Sequence, residues 1–404
     1  MTRALALILA GGRGKRMDIL CSHRPKPALT FAGNFRVIDF SLSNCIHSRI
    51  ADIGVLVDYQ RQAMADYLGE WHSLNGEATR LSVLPPNLGS YRGTADAVYQ
   101  IQDYLESHEA DTVLVLAGDH VYKMDYRRMI TFHDMLNADM TVGVVRVPAA
   151  ETHRFGTVSV DAESRIREFI EKTSRPNGTL ASMGIYVFKK DLLMRRLSED
   201  AVEAGSPHDF GYAVLPRMVR QDRVYAYEFK GYWQDIGTMD AYYEANMELL
   251  QERPGYSLNS DWPIFCESPV LPEHVKSGDG RISNSLVSPG CIIKGTVENS
   301  VLSPGVRVEE QAVVKNSIIM PRVTIGYHSV VDRCILEEGV RVGRYCYIGF
   351  GAGPGSGGQG ISVLGADLVI PDRTAIGHAC KVSNDAERSA LEGGIIPSGT
   401  TLVS

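Results

Sequence analysis

Glycines and cations crowd one short stretch near the start of the chain. Gly11-Gly12-Arg13-Gly14-Lys15-Arg16 follows directly on the apolar run Ala4–Ala10, and Arg24-Pro25-Lys26-Pro27 arrives within one further loop. Glycines let backbone N–H groups close on phosphate oxygens, and the cations neutralise a polyphosphate, so the pattern predicts a phosphate cradle. It is not a Walker loop, because Arg16 stands where Ser or Thr must follow the Gly-Lys pair, and no G-x-G-x-x-G dinucleotide fingerprint is present. The plain alternative is a glycine turn carrying solvated cations.

Carboxylates occupy two further positions of interest. Asp119 follows the wholly apolar run Val113–Ala117 in Ala117-Gly118-Asp119-His120, which puts it at the carboxyl edge of a buried strand, where open α/β sheets bind ligands. Asp235 sits in Tyr232-Trp233-Gln234-Asp235-Ile236-Gly237. Two such carboxylates can share a divalent cation with a phosphate chain and screen the charge on an attacked phosphorus. The competing readings are a helix N-cap for Asp119 and a turn hydrogen bond for Asp235. Glu168-Phe169-Ile170-Glu171-Lys172 sets a cation beside a carboxylate, of which the bland reading is a solvated ion pair at a strand end.

The elements that must position these groups fall into two halves. Up to about residue 250, short β-branched runs (Ala4–Ala10, Ile53–Asp58, Val113–Ala117, Met140–Val145, Gly184–Phe188) alternate with longer amphipathic stretches, the pattern of an α/β domain with a parallel sheet. Residues 251–281, with several prolines, read as a linker. From 282 to 404 the helical pattern stops. Turns at Ser288-Pro289-Gly290, Ser303-Pro304-Gly305, Met320-Pro321-Arg322 and Glu337-Glu338-Gly339 recur with Val306/Val308, Val323/Ile325 and Val340/Val342 between them, and Ile292, Val297, Val313, Ile318, Val330 and Ile335 fall at hexad-like intervals. That period is the mark of a parallel β-helix with an inward column of Ile, Val and Leu, against a β-sandwich as the rival. Gly351–Gly360, dense in glycine, predicts a loop interrupting the coil.

Composition narrows the class. The 404 residues suit two domains, and 44% hydrophobic with 22% charged residues is globular. A formal charge of −7 without a basic run argues against nucleic acid as a partner. The opening apolar run is too short for a membrane span and runs into a glycine loop rather than a cleavage site, so the expectation is a cytoplasmic chain with no membrane partner. Seven scattered cysteines with no Cys-x-x-Cys pair indicate neither a disulfide framework nor zinc.

Leu9-Ala10-Gly11-Gly12-Arg13-Gly14-Lys15-Arg16-Met17 with Lys26-Pro27-Ala28 closely resembles the signature of sugar-1-phosphate nucleotidyltransferases. Phe35-Arg36-Val37-Ile38-Asp39-Phe40, Ser43-Asn44-Cys45, Tyr91-Arg92-Gly93-Thr94-Ala95-Asp96-Ala97-Val98 and Ser206-Pro207-His208-Asp209-Phe210-Gly211 resemble its glucose-1-phosphate adenylyltransferase branch, in its bacterial form, and with the hexapeptide repeat the resemblance spans nearly the whole chain. It implies a Rossmann-like, mixed but mostly parallel nucleotidyltransferase sheet followed by a left-handed parallel β-helix, and transfer of adenylyl from ATP to glucose 1-phosphate. It further implies Mg²⁺ on Asp119 and Asp235, with Asp119, Arg16 and Lys26 catalytic. Leu9, Ala10, Gly11, Gly12, Gly14, Lys15, Arg16, Gly93 and Thr94 would hold the nucleotide; Tyr91, Gly156, Glu171, Lys172, Ser182 and Asp235 would hold the sugar phosphate. A homotetramer and a sugar-phosphate or nucleotide effector, with Arg36 in a regulatory role, belong to the same implication.

The chain departs from that pattern in three places. Thr173 replaces the proline after Glu171-Lys172, His23 and Thr30 replace basic regulatory positions, and the segment Leu84–Tyr91 is shorter than the usual loop and lacks its glutamines, which bears on the choice of base. Another nucleoside triphosphate as donor, and a non-catalytic regulatory subunit, are the competing readings. An acyltransferase built on the coil would have to rely on His328 or His378, each more simply a surface or packing residue.

Overall fold

A computed structural model describes residues 3–74, 79–251, 255, 257–258, 261–266, 271–351, 360–386, 388–391 and 394–402. The chain divides into two compact units that interleave in sequence. One comprises Met1–Arg13, Val37–Gln234 and Trp262–Phe265, the other Gly14–Arg36, Asp235–Asp261 and Cys266–Ser404.

In the first unit, Ala4–Leu9 lies between Asp52–Leu56 and Thr112–Ala117, parallel to both, and Arg80–Leu84 extends that parallel half. Leu180–Lys189 then runs antiparallel to Thr112–Ala117 and carries Met140–Arg146 and Thr157–Val160 beside it; Ile166–Ile170 and Val224–Glu228 complete a nine-stranded mixed sheet. Leu5, Leu7, Val113, Val115, Val142 and Phe188 are fully buried, because helices cover both faces and no polar alternation is needed along these strands. The strands expected from sequence all form, with edges moved by a few residues. Beyond Gly118-Asp119, His120–Tyr122 pairs with a short strand that begins at Trp233.

The second unit is a three-sheeted parallel β-helix. Its inward columns stack in strict register: Ile293, Val308, Ile325, Val342 and Ile370 in one sheet, Val297, Val314, Val331, Ile348 and Ile376 in the next, and Leu302, Ile319, Leu336, Leu364 and Val382 in the third. The expected inward set is corrected at five positions. Ile292, Val313, Ile318, Val330 and Ile335 face away from the coil interior, and Ile293, Val314, Ile319, Val331 and Leu336 fill it instead. Each pair is apolar at both residues, so hydrophobicity alone did not fix which member faces in, and the stacked register decides it. The turns at Gly290, Gly305, Arg322 and Gly339 are left-handed corners, and Asn284, Asn299 and Asn316 form a side-chain ladder at another corner, with Nδ2 to Oδ1 distances of 2.9 and 2.8 Å. The first coil strand, Val275–Lys276, already pairs with Ile292–Ile293. The expected loop at Gly351–Gly360 lies mostly outside the described residues. Every cysteine is free, and all but Cys266 are buried, as small apolar fillers.

Candidate active site

Within the first unit, the ends of two parallel strands set the site. Leu9 faces Ala117 across the sheet, and the Gly118 N–H donates to the Leu9 carbonyl at 3.1 Å, so the backbone after Ala4–Leu9 and the Asp119 side chain share one edge. Ala10 continues from there, and Gly11 packs beside Asp58 and the Tyr91 ring. The Tyr91 N–H donates to Asp58 Oδ2 (3.3 Å) and its hydroxyl to the Leu84 carbonyl (2.8 Å); burial pushes that phenol well above its usual pKa. Asp119 keeps a third of its side chain exposed and lies 3.5 Å from His120 Nε2. His120 meets the Trp233 ring edge-on, and Trp233 meets Phe155 in the same way, so an aromatic row runs from Asp119 toward Gly156.

At the far end of that row stands Glu171. A Cβ added to Gly156 would lie 2.4 Å from Glu171 Oε2, and one added to Gly211 would lie 2.5 Å from it, so both walls are glycine because nothing larger fits. Burial raises the Glu171 pKa, while Lys172, its Nζ 3.3 Å from Oε1, pulls it back. Lys172 itself adopts φ 40°, a costly left-handed conformation for a residue with a Cβ, and its N–H donates to the Phe155 carbonyl. The Ser182 N–H closes the pocket floor by donating to the Gly156 carbonyl (2.8 Å) at an irregularity in Leu180–Lys189. The Gly93–Thr94 turn is fixed from a different direction. Thr94 Oγ1 donates to Asp209 Oδ2 (2.9 Å) and accepts the Phe210 N–H, and Gly93 lies where a Cβ would be 2.3 Å from the His208 carbonyl oxygen.

The second unit gathers the cations. Lys15 and Arg16 begin the helical turn Lys15–Cys21 after a left-handed Gly14, and Lys26, almost fully buried, holds its Nζ 3.1 Å from Asp235 Oδ1. A Cβ on Gly237 would lie 3.2 Å from Arg16 Nη2 and 2.8 Å from Asp235 Oδ2, so Arg16, Lys26 and Asp235 form one cluster. Arg36 donates to Thr30 Oγ1, while Arg24 pairs with the buried Glu337 at 2.7 Å and with Glu338 at 3.5 Å.

A family model described as nucleotidyl transferase matches residues 5–252, and one described as GlmU-like, C-terminal hexapeptide matches 271–354. A glucose-1-phosphate adenylyltransferase of Desulfitobacterium hafniense (strain Y51) is 41% identical over 391 residues, covering 94% of this chain and 98% of the relative. Relatives of the same name from Pseudothermotoga lettingae (44% over 414 residues; 99% and 98% covered) and Acetivibrio thermocellus (40% over 388 residues; 92% and 91% covered) agree. The chain belongs to the glucose-1-phosphate adenylyltransferase family.

Of the residues singled out from this family's pattern, the first unit brings Leu9, Ala10 and Gly11 to the strand edge of Asp119, and Gly156, Ser182, Glu171 and Lys172 to one pocket. It places Tyr91 against Gly11. Asp58, Trp233 and Phe155 were not singled out for roles. Trp233 stands two residues before Asp235, yet only its packing with His120 and Phe155 reveals the aromatic row, and Asp58, ending the apolar run Ile53–Asp58, carries the same strand-end signal as Asp119. Among the described residues no helix is long and apolar enough to cross a membrane.

Proposed function

We propose that this chain transfers the adenylyl group of ATP to α-D-glucose 1-phosphate, giving ADP-glucose and pyrophosphate for glycogen or α-glucan synthesis. The observation that carries the reading is the shared carboxyl end of the parallel strands Ala4–Leu9 and Thr112–Ala117 in the first unit. Asp119 stands there at a strand terminus, with the Gly93–Thr94 turn and the glycine-walled Glu171–Lys172 pocket in the same unit.

In this reading Lys172 binds the phosphate of glucose 1-phosphate and Glu171 accepts from a sugar hydroxyl; Gly156 and Ser182 shape the pocket, and Tyr91 completes the sugar side. Leu9, Ala10, Gly11, Gly12, Gly14 and Lys15 with Gly93 and Thr94 hold the nucleotide. The phosphate oxygen attacks the α-phosphorus in line, the bond to the β,γ-pyrophosphate breaks, and no covalent enzyme intermediate forms. The nucleophile is already ionised, so no general base is required. Arg16 and Lys26 stabilise the charge that builds on the departing pyrophosphate. Carboxylate oxygens suit a hard divalent cation, and both aspartates keep partly accessible oxygens at strand ends, so the donors present fit Mg²⁺. Asp119 and Asp235 would hold the Mg²⁺, which would supply charge screening at the attacked phosphorus.

Cytoplasmic location, assembly as a homotetramer and a sugar-phosphate or nucleotide effector near Arg36 complete the reading, with catalysis assigned to residues 1–250, a linker at 251–281 whose last part, from Val275, already pairs with the coil, and the coil at 282–404. Pyrophosphate release is measured with glucose 1-phosphate, Mg²⁺ and each of ATP, UTP, GTP and dTTP. ATP is expected to give the highest rate, and Asp119→Asn to lower it by about 10³-fold at unchanged melting temperature. Release led by another nucleotide reassigns the base preference to the short Leu84–Tyr91 segment, and no release from folded protein overturns the enzyme reading.

A further inference from the structure

The segment Ser206-Pro207-His208-Asp209-Phe210-Gly211 stands out in the sequence, yet its first three residues have no part in the chemistry above. In the first unit the half-buried Ser206 and the buried His208 both bond to the buried Asp200, near the end of the helix Lys190–Ala201, while Pro207 between them is exposed. Asp200 Oδ1 accepts from Ser206 Oγ at 2.6 Å, and Oδ2 lies 3.0 Å from His208 Nδ1. An ionised carboxylate only accepts, so Nδ1 carries the donated proton. Ser206 Oγ in turn accepts the His208 N–H at 3.0 Å. Side chain and backbone of His208 are thus both tied to one acidic anchor.

The anchor holds His208 at φ 51°, a left-handed conformation that is costly for a residue with a Cβ. Its consequence appears on the other side of the peptide. The His208 carbonyl accepts the N–H groups of Ala95 (2.9 Å) and Asp96 (3.1 Å), first-turn amides of the helix Thr94–Tyr99 that have no partner within their own helix. The same carbonyl and that of Pro207 abut Gly93, leaving no room for a Cβ. Released from Asp200, residue 208 relaxes toward negative φ, its carbonyl swings away, and the two amides and the Gly93 turn lose their support.

We propose that Asp200, Ser206 and His208 are positioning residues that hold the Gly93–Thr94 turn in the geometry that binds the nucleotide. The proposal rests on the reading of that turn as a nucleotide site. It places the effect on nucleotide affinity, apart from turnover and apart from the sugar phosphate.

The test measures equilibrium binding of ATP without turnover, together with steady-state rates, for the full chain and for His208→Ala, Asp200→Asn and His208→Asn. Asparagine keeps a donor near the Nδ1 position and tolerates positive φ. His208→Ala and Asp200→Asn are expected to weaken ATP binding about tenfold or more, with kcat and the KM for glucose 1-phosphate changed by less than about threefold; His208→Asn recovers most of the loss. ATP binding in His208→Ala within about twofold of the parent overturns the proposal. So does a loss spread equally over both substrates and kcat that His208→Asn does not rescue. Should His208→Ala fail to fold, Asp200→Asn against His208→Asn carries the same comparison. A parent protein that binds ATP yet releases no pyrophosphate sinks the adenylyltransfer reading while leaving this latch to be judged on binding alone.

Discussion

Two lysine–glutamate pairs of nearly equal geometry sit in the two units. Lys172 Nζ lies 3.3 Å from Glu171 in the sheet unit, and Lys315 Nζ lies 3.4 Å from Glu298 on the coil; the lysines are 50% and 43% exposed. The carboxylates differ. Glu171 is 13% exposed between two glycines that admit no side chain, whereas Glu298 is 51% exposed. Lys172 is also bent to positive φ, while Lys315 continues a regular strand. What sets the Glu171–Lys172 pair apart is one-sided desolvation and a strained backbone, which leave a partly buried acceptor beside an open ammonium, as the proposed sugar-phosphate role requires.

The sharpest way to break this comparison is to make the same change in both places. Lys172→Ala is expected to lower kcat/KM for glucose 1-phosphate by about 10³-fold, equivalent to about 4 kcal/mol, mostly through KM. Lys315→Ala should leave kcat/KM within about twofold and stability within about 0.5 kcal/mol, as solvated pairs do. Comparable losses in steady-state assays of the two variants would show that the environment of Glu171 is not what distinguishes the pair.

A second test asks what the coil contributes. Ile319 is fully buried and stacks in register between Leu302 and Leu336. Ile319→Ala is expected to cost about 3 kcal/mol in denaturant unfolding through lost transfer energy and a cavity. The turnover of the folded fraction should hold within about twofold, since no polar group of the proposed chemistry lies in that column. A fall in kcat at full folding would make the coil part of the chemistry rather than a rigid partner.

The difference between the units also explains what could be read from sequence. The coil repeats one local solution, so turns at Ser288-Pro289-Gly290 and its successors announced it. Where two adjacent residues were both apolar, as at Val313-Val314, the facing was read one residue out, because only stacking against neighbouring coils breaks the tie. In the sheet unit, Asp119 was legible from a buried strand ending in Gly-Asp, a strictly local signal. Asn284, Asn299 and Asn316 carry the same coil period in their spacing. The placing of Gly14–Arg36 with the coil, the Arg24–Glu337 pair 313 residues apart in sequence, and the capping of Ala95 by His208 were not legible. Each joins segments whose local sequence carries no trace of the partner.

Acid offers the finest contrast, because one buried group in each unit responds with opposite sign. His133 is buried under Met140–Arg146, its Nδ1 2.9 Å from Thr141 Oγ1 and its Nε2 without a hydrogen-bond partner among the described residues. Burial lowers its pKa to about 4, with Asp134 and Asp139 opposing and Lys189 assisting. The folded state thus keeps the imidazole neutral while the unfolded chain protonates near its ordinary value of about 6.5, so stability is full above that pH and falls as pH drops toward 4. The loss between pH 7 and pH 5 amounts to about 2 kcal/mol. Glu337, buried in the second unit, has its pKa raised by desolvation, with Arg24 opposing; its folded state binds the proton more tightly, so acidification favours folding there. The measurement is the stability gap between the parent and each of His133→Gln and Glu337→Gln at the two pH values. The first gap should shrink by about 2 kcal/mol on acidification and the second should grow; a first gap that stays constant would mean that His133 is protonated in the folded protein and that its burial is not what sets the acid response of the sheet unit.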